Sequence, residues 1–550
     1  MPRKNSRSGA RGAASVTTPA ATACRPIEQQ AAARTGVHPA VSIRSGLHRP
    51  RIWWAARVAQ QRIDPWIIAA VVVGAALRSI NLGEAPLWFD ETYTVHHIGL
   101  PWDGYVGAMM RDNQAPIYYA TAKAWTELVG LSPWLLRLPG LVASVACIPL
   151  IAASAGLLAG TSAARAAAWV AAISPYLVQH AQDARPYALL AAVAAAHLLV
   201  LVRFATGRSA RLGFWWVVLA VATVATHYYG IFFLAGQGLA LLVLWRRPLH
   251  TWLPAGAIAG AICATLLLAA IRNASGVFAG QYEFGVAAMP GVVWSLLTGY
   301  TLIPTSEQLH ALGPSAALPD LPVALAALPA AIVIGLASLR ALDATGTVVL
   351  LSTFGTALLV PFLYRLVAGA GVHPRYFAAT IGPVLVLTAA GMNFDRLRSA
   401  RGVATLVLGA VMLYATALHL RDTAHGREDV AAAGRWLDAN VPPTEEILIT
   451  SNEMEILARF HWPHRRFRLY PPERGVITPE RVPGLVDGLP FPDTQRAIFL
   501  VGRAWLSDAD GQLQTALVDR YPSCPGLDVP GIRIHCFRPS AAAAAGASAP

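Results

Sequence analysis

Charge is scarce in this chain. Asp, Glu, Lys and Arg make up 13 % of its 550 residues, against about 25 % in a soluble domain. Lysine is almost missing, with Lys4 and Lys123 the two in the sequence. The five cysteines, Cys24, Cys147, Cys263, Cys524 and Cys536, are scattered and lack metal-ligand spacing. So few cysteines exclude a disulfide-dense secreted scaffold, and no solenoid repeat runs through the chain. Low charge stands beside 55 % hydrophobic residues and a mean hydropathy of +0.47. That balance excludes a disordered protein. It also excludes a soluble globule, because so few polar groups cannot cover the surface in water. The composition points to an all-α polytopic membrane protein.

The net charge of +13 is uneven. Residues 1–63 hold eleven basic residues and one acid, Glu28. Directly before an apolar span, such a stretch predicts a disordered cytoplasmic tail that sets orientation and touches anionic membrane lipids. Nothing basic and aromatic follows it in a soluble fold, so no nucleic-acid partner is expected. It is too long and too broken to be a cleaved signal peptide.

A helix needs about 20 apolar residues to cross a bilayer. Eleven stretches are candidates, near 65–82, 134–158, 163–180, 186–204, 212–226, 229–246, 252–271, 321–340, 346–366, 376–392 and 402–420. With the N-terminus in the cytoplasm, the inner loops hold ten arginines, from Arg165 to Arg401, and two acids, Asp343 and Asp395. That distribution obeys the positive-inside rule. Residues 64–420 are then a transmembrane catalytic domain of a plasma-membrane protein, with long outer loops at 83–133 and 272–320. Pro116–Val129 is aromatic and too short to span, which predicts a helix lying at the interface. An odd span count puts 421–540 outside. Helices are expected there at Glu428–Ala439 and Leu513–Arg520, and strands at Ile447–Thr450 and Ala497–Val501, making a small extracytoplasmic α/β domain. Residues 541–550 read as a disordered tail. Cys524 and Cys536 fall in that domain, where a structural disulfide and two thiols are both open.

Five polar motifs map to the outer side under this topology. The first is Leu87-Trp88-Phe89-Asp90-Glu91-Thr92-Tyr93. Two carboxylates at a membrane boundary are a functional hypothesis by default. The flanking aromatics would dry the site and raise a carboxyl pKa, as suits a general base. The second motif runs from Asp112 through Gln114 and Pro116 to Tyr118 and Tyr119, the third from Gln179 through Asp183 and Arg185 to Tyr187. The fourth is His227 with Tyr228, and the fifth His373-Pro374-Arg375-Tyr376. Taken singly, each has a plain reading: an aromatic belt, an interfacial anchor, an Asp183–Arg185 ion pair, a hydrogen-bonded histidine, a snorkelling arginine. Their convergence on one side favours one cavity. Arginine suits a lipid phosphate by its planar fork of donors.

The stretches L-W-F-D-E-T, A-P-I-Y-Y, Q-D-A-R-P-Y and H-P-R-Y-F, over about residues 64–420, resemble the integral-membrane glycosyltransferases of the GT-C class. The group resembled includes protein O-mannosyltransferases and aminoarabinose transferases. The resemblance implies transfer from a polyprenyl-phosphate sugar to an envelope glycolipid, glycan or protein at the outer face. Asp90 matches the acid of the family's first outer loop and Glu91 its neighbour, both expected to be catalytic. Arg185, Arg375 and Tyr376 would hold the donor phosphate. Tyr93, Gln114, Tyr118, Tyr119, Asp183, Tyr187, His227, Tyr228 and His373 would line the substrate site. One departure matters: aminoarabinose transferases carry a lysine before the Pro motif, where Gln114-Ala115 stands here. That favours a neutral hexose, mannose first. Asp90 would deprotonate the acceptor hydroxyl with inversion at the anomeric carbon. With two arginines no metal is required, although a divalent ion on Asp90 and Glu91 stays open. The rival reading is a lipid-linked-sugar transporter, which would put polar groups near mid-membrane. Here His197 is the main ionisable residue inside a span.

Overall fold

The computed structural model describes residues 64–112, 114–207, 210–244, 253–273, 288–305, 308–309, 312–368, 372–392, 398–422, 425–472, 477–491, 496–503, 507–508 and 511–539. The chain divides into two units, Met1–Ile52 and Trp53–Pro550, and all described residues belong to the second. The expected tails at 1–63 and 541–550, and part of the loop 272–320, lie outside the described residues.

Apolar runs become helices where caps and prolines allow. Helix α1 (Pro65–Ser79) starts with Pro65, which needs no N–H partner, and Asp64 caps the Trp66 amide. After it come α2 (Phe89–Ile98), α3 (Trp102–Arg111) and α4 (Pro116–Val129). Thus the first long loop is itself helical, and α4 has the bounds expected from sequence. Helix α5 (Pro133–Ala159) is capped by Ser132 and packs against α6 (Thr161–Ile173) and α8 (Tyr187–Gly207). Alanines dominate these faces, so the backbones approach closely. Short α7 (Pro175–Ala181) lies between α6 and α8. The remaining helices of this part are α9 (Ala210–Thr226), α10 (Gly230–Leu244), α11 (Leu253–Asn273), α12 (Ala288–Thr298), α13 (Leu321–Ala341), α14 (Ala344–Ala368), α15 (Ile381–Gly391) and α16 (Ala400–Arg421).

Five of the described helices are long and apolar enough to cross a bilayer, and others are apolar but shorter. The chain is thus a mostly helical, multi-pass membrane protein. Exposed leucines such as Leu242, Leu325, Leu336, Leu363 and Leu406 suit lipid contact. Two expected spans are broken. The one at 163–180 stops at Ser174, whose hydroxyl caps Leu177 while Pro175 restarts the helix as α7. The one at 376–392 opens as a 3-10 helix, Pro374–Thr380, before α15. Unexpectedly, α12 is a short apolar helix packed on α7, α16 and that 3-10 turn. Arg78, fully buried, ties α1 to α5 and α6 by donating to Ser144 Oγ and the carbonyls of Ala171 and Ala172.

The C-terminal region holds α17 (Val430–Asn440), β1 (Glu446–Ile449), α18 (Asn452–His461), β2 (Arg466–Leu469), α19 (Val482–Asp487), β3 (Ala497–Val501), α20 (Gln512–Arg520), β4 (Ser523–Val529) and β5 (Ile532–Phe537). The sheet order is β2-β1-β3-β5-β4, with β1 parallel to β2 and β3, and β5 antiparallel to both its neighbours. Both faces are covered. Ile447, Ile449, Ile498 and Leu500 point into one core, while Leu448, Phe499 and Val501 point into the other. Phe89 and Tyr93 of α2 join the first of these cores, so this region packs directly on the helical part. Cys524 and Cys536 face each other across β4 and β5 and form a disulfide.

Candidate active site

The site is built around α2. Its first turn carries Asp90 and Glu91, adjacent in sequence and therefore about 100° apart around the helix. They part accordingly. Glu91 is fully buried and takes Arg137 of α5 on both oxygens, Nε to Oε1 at 2.7 Å and Nη2 to Oε2 at 2.6 Å. Oε1 also accepts the Ala184 amide at 2.9 Å. The geometry holds both Glu91 oxygens in a buried ion pair with Arg137, apart from the arginines that meet Asp90.

Asp90 is buried and meets arginines on every side. Arg375 Nη1 donates to Oδ2. Arg503 Nη2 lies 3.6 Å from Oδ1. Arg185 Nη1 donates to the Asp90 carbonyl at 3.1 Å and to Thr94 Oγ1 at 3.4 Å. Burial pushes the Asp90 carboxyl up, but Arg375, Arg185 and Arg503 outweigh burial and hold it well below the usual carboxylate range. The expectation that aromatics raise this carboxyl is thus corrected: the arginines win. Asp183 shows the opposite balance. Burial, with Glu91 and Asp90 nearby, raises it to about 6 despite Arg427. Asp183 does not pair with Arg185 but accepts Trp88 Nε1 at 3.0 Å.

Residues of all five motifs are in contact. The Arg185 guanidinium sits 6.0 Å over the Tyr119 ring, and that of Arg375 lies 5.8 Å over Tyr187 and 6.0 Å over Tyr376. His227 packs between Tyr187 and Tyr376 at 5.7 and 5.4 Å. Burial lowers the His227 imidazole to about 3, with Arg185 and Arg375 adding to the effect. His373 accepts the Arg375 amide and packs on Tyr376 and Tyr300. Tyr228 donates to the Gln114 carbonyl at 3.3 Å, and Tyr119 to Gln114 Oε1 at 2.7 Å. Tyr118 and Tyr93 also take part in neighbouring cores. Tyr118 is buried in the core beneath α2 and α4, with Leu87, Ile98 and Leu136. Tyr93 packs on Phe89 and His97 beside the C-terminal core. His197 is a core residue between Trp216 and Phe233.

Several site residues lack a sequence signal. Arg137 hides in an apolar span. Tyr300 follows an unexpected helix, and its hydroxyl lies in hydrogen-bond contact with His180 Nε2 at 3.4 Å. Arg427, Glu428 and Arg503 come from the C-terminal region. Arg427 and Arg503 lie 5.4 and 5.8 Å from the Trp88 ring centre, and Arg503 lies 4.0 Å from that of Phe89.

No protein-family model and no curated protein matches this chain. Among solved structures it is similar to ArnT from Cupriavidus metallidurans bound to undecaprenyl phosphate, at 14 % identity and a TM-score of 0.46 over 87 % of this chain and 99 % of that one. It is also similar to the Archaeoglobus fulgidus oligosaccharyltransferase, at 13 % identity and 0.48 over 86 % and 72 %. A third likeness is to the mycobacterial arabinofuranosyltransferase AftD, at 13 % and 0.41 over 86 % of this chain and 41 % of that one. All three are GT-C glycosyltransferases, the class that the sequence motifs resemble. With TM-scores below 0.5, these likenesses assign no activity, donor or acceptor to this chain, and the functional case rests on its own side chains.

Proposed function

We propose that this chain is a membrane glycosyltransferase that moves a sugar, a hexose such as mannose, from a polyprenyl-phosphate donor to a hydroxyl of an envelope glycolipid, glycan or protein. The arginine-rich inner loops support a reaction at the outer face, with the N-terminus in the cytoplasm. The observation that carries the reading is one buried carboxylate, Asp90, set against buried Arg185 and half-buried Arg375 within a wall of tyrosines. Arg185 Nε is buried and makes no hydrogen bond among the described residues, which leaves a donor for an anionic ligand.

The chemistry follows from that arrangement. Arg185 and Arg375 bind the donor phosphate, and the acceptor hydroxyl approaches the anomeric carbon from the opposite side. Asp90 takes the hydroxyl proton as the new C–O bond forms. The bond to the phosphate oxygen breaks, and polyprenyl phosphate leaves as the anion. Configuration at the anomeric carbon inverts. General-base assistance contributes roughly 10²–10⁴-fold, and the guanidinium groups stabilise charge growing on the phosphate. In the free protein Arg375 is engaged with Asp90. A donor phosphate competing for that guanidinium loosens the pair and strengthens Asp90 as a base when substrate is present.

The test compares the purified protein with its Asp90→Asn variant on a labelled polyprenyl-phosphate-mannose donor and an envelope acceptor. Transfer by the wild type and near-total loss in the variant is the expected result. Equal transfer by both removes Asp90 as base. Inertness of the wild type toward this and other lipid-phosphate sugars overturns the class and favours the transporter.

A further inference from the structure

The C-terminal region reaches into the site with two charged side chains. Glu428 lies just before α17, and its Oε2 accepts the Phe89 amide at 3.1 Å. This amide opens α2 and has no intrahelical acceptor, so a buried carboxylate there caps the helix that carries Asp90. The other oxygen of Glu428 accepts Arg503 Nε at 2.9 Å, and Arg503 Nη2 turns to Asp90 Oδ1 at 3.6 Å. Arg503 therefore bridges the capping acid and the reactive acid, with its guanidinium 4.0 Å from the ring centre of Phe89 between them.

The backbone is shaped to make this bridge. Arg503 lies just past the carboxyl end of β3 with φ +52°, the left-handed region that non-glycine residues rarely occupy. At the neighbouring β4–β5 turn, Gly531 has φ +70°, and a Cβ there would stand 2.9 Å from Cγ of Glu428. The Asp429 amide donates to the Pro530 carbonyl at 2.9 Å, which holds Glu428 against that turn. From α18, His461 Nε2 donates to the Leu87 carbonyl at 2.7 Å. The segment Leu87–Asp90 is thus gripped from three places in the C-terminal region.

We propose that Arg503 and Glu428 are positioning residues for Asp90, so that the C-terminal region completes the reacting site and is not merely appended to it. This inference rests on Asp90 being the base. Glu428 fixes the first turn of α2, and Arg503 orients the carboxylate and keeps it ionised. The other groups facing Asp90 are Arg185, Arg375, His373, Tyr119, Tyr187 and Asp183. None of these comes from the C-terminal region.

The experiment uses full-length Arg503→Gln, Arg503→Lys and Glu428→Gln, with Arg459→Gln as a control at an exposed position of the same region. Transfer kinetics are measured beside the pH dependence of Asp90 modification by dicyclohexylcarbodiimide, which attacks protonated carboxyls, read by peptide mass spectrometry. Arg503→Gln is expected to lower kcat by about 10–100-fold, as misplacement of a reacting group does, with donor KM little changed. Its Asp90 labelling curve moves to higher pH, because one cation is gone. Arg503→Lys restores the curve toward wild type, Glu428→Gln lowers kcat, and Arg459→Gln changes nothing. Wild-type kcat and an unmoved labelling curve in Arg503→Gln overturn the inference. So does a fall in kcat matched by a fall in Tm with the labelling curve unmoved, which marks a merely structural role. If the wild type transfers no sugar, the proposed function fails, and the labelling series still decides whether Arg503 controls Asp90.

Discussion

Arg137 and Glu91 are joined by two hydrogen bonds, both side chains being almost wholly withdrawn from solvent. Arg137 also donates to the carbonyls of Leu82 and Ala85 at 2.9 Å each. One guanidinium thereby holds the whole turn that leads from α1 into α2. Removing one partner leaves a buried charge uncompensated, which costs about 3–5 kcal/mol. Arg137→Ala and Glu91→Ala are therefore expected to lower thermal stability steeply in detergent. A Glu91→Ala protein that keeps wild-type Tm but loses turnover would instead support a catalytic role for Glu91.

Arg185 and Arg375 are expected to matter in a different way. In the proposed reaction each stabilises charge that grows on the donor phosphate, so Arg185→Gln and Arg375→Gln should each lower kcat by about 10²–10³-fold. Lysine should rescue poorly at either position, because it lacks the planar fork. Single-turnover kinetics separate this from loss of donor binding. A rise in KM alone, with kcat intact, would limit these arginines to ground-state binding.

Asp183 has an expected signature in stability against pH. Its carboxyl is raised from 3.8 to about 6 by burial, with Glu91 and Asp90 adding to the shift. Between those values the folded protein binds more protons than the unfolded chain, so stability falls as pH rises from about 4 to 6. Asp90 has the opposite sign. Its depressed carboxyl contributes stability that is present above its ordinary value and lost only as pH falls below about 4. Thermal melts of Asp183→Asn should therefore flatten the slope between pH 4 and 6. An unchanged slope would assign it to another group.

The Cys524–Cys536 disulfide closes a short loop, with a separation of 12 residues across β4 and β5. Loop-closure entropy assigns such a crosslink about 3 kcal/mol. Cys524→Ser or reduction should lower the Tm of the C-terminal region, with transfer activity retained below that temperature. Loss of activity without loss of stability would tie the hairpin to the site, since the β4–β5 turn touches Glu428.

Much of the architecture was legible because it is local. Hydropathy marks the apolar helices, Pro116 marks the start of α4, and a short continuous apolar run marks β3, buried on both faces. Hydropathy was less able to count spans. It cannot see Ser174 capping a new helix, or Pro374 opening a 3-10 turn inside an apolar run. Of the site, the motif residues Asp90, Arg185, Arg375, Tyr119, Tyr187 and His227 could be named, since polar groups at membrane edges stand out against apolar flanks. Arg137, Tyr300 and Arg503 could not, because nothing beside them in the chain signals what they meet in space.

Composition and periodicity alone suffice to establish a helical membrane protein with a mixed α/β end, since both depend on near neighbours and on transfer from water to an apolar phase. The state of each acid depends on groups far away in the chain. Adjacent on one helix, Asp90 and Glu91 part because a helix turns about 100° per residue, which sends one to Arg137 and the other to Arg375 and Arg503. Coulomb interactions at a few ångströms, among side chains withdrawn from solvent, then hold Glu91 in an ion pair with Arg137 and set Asp90, the proposed base, among Arg375 and Arg503.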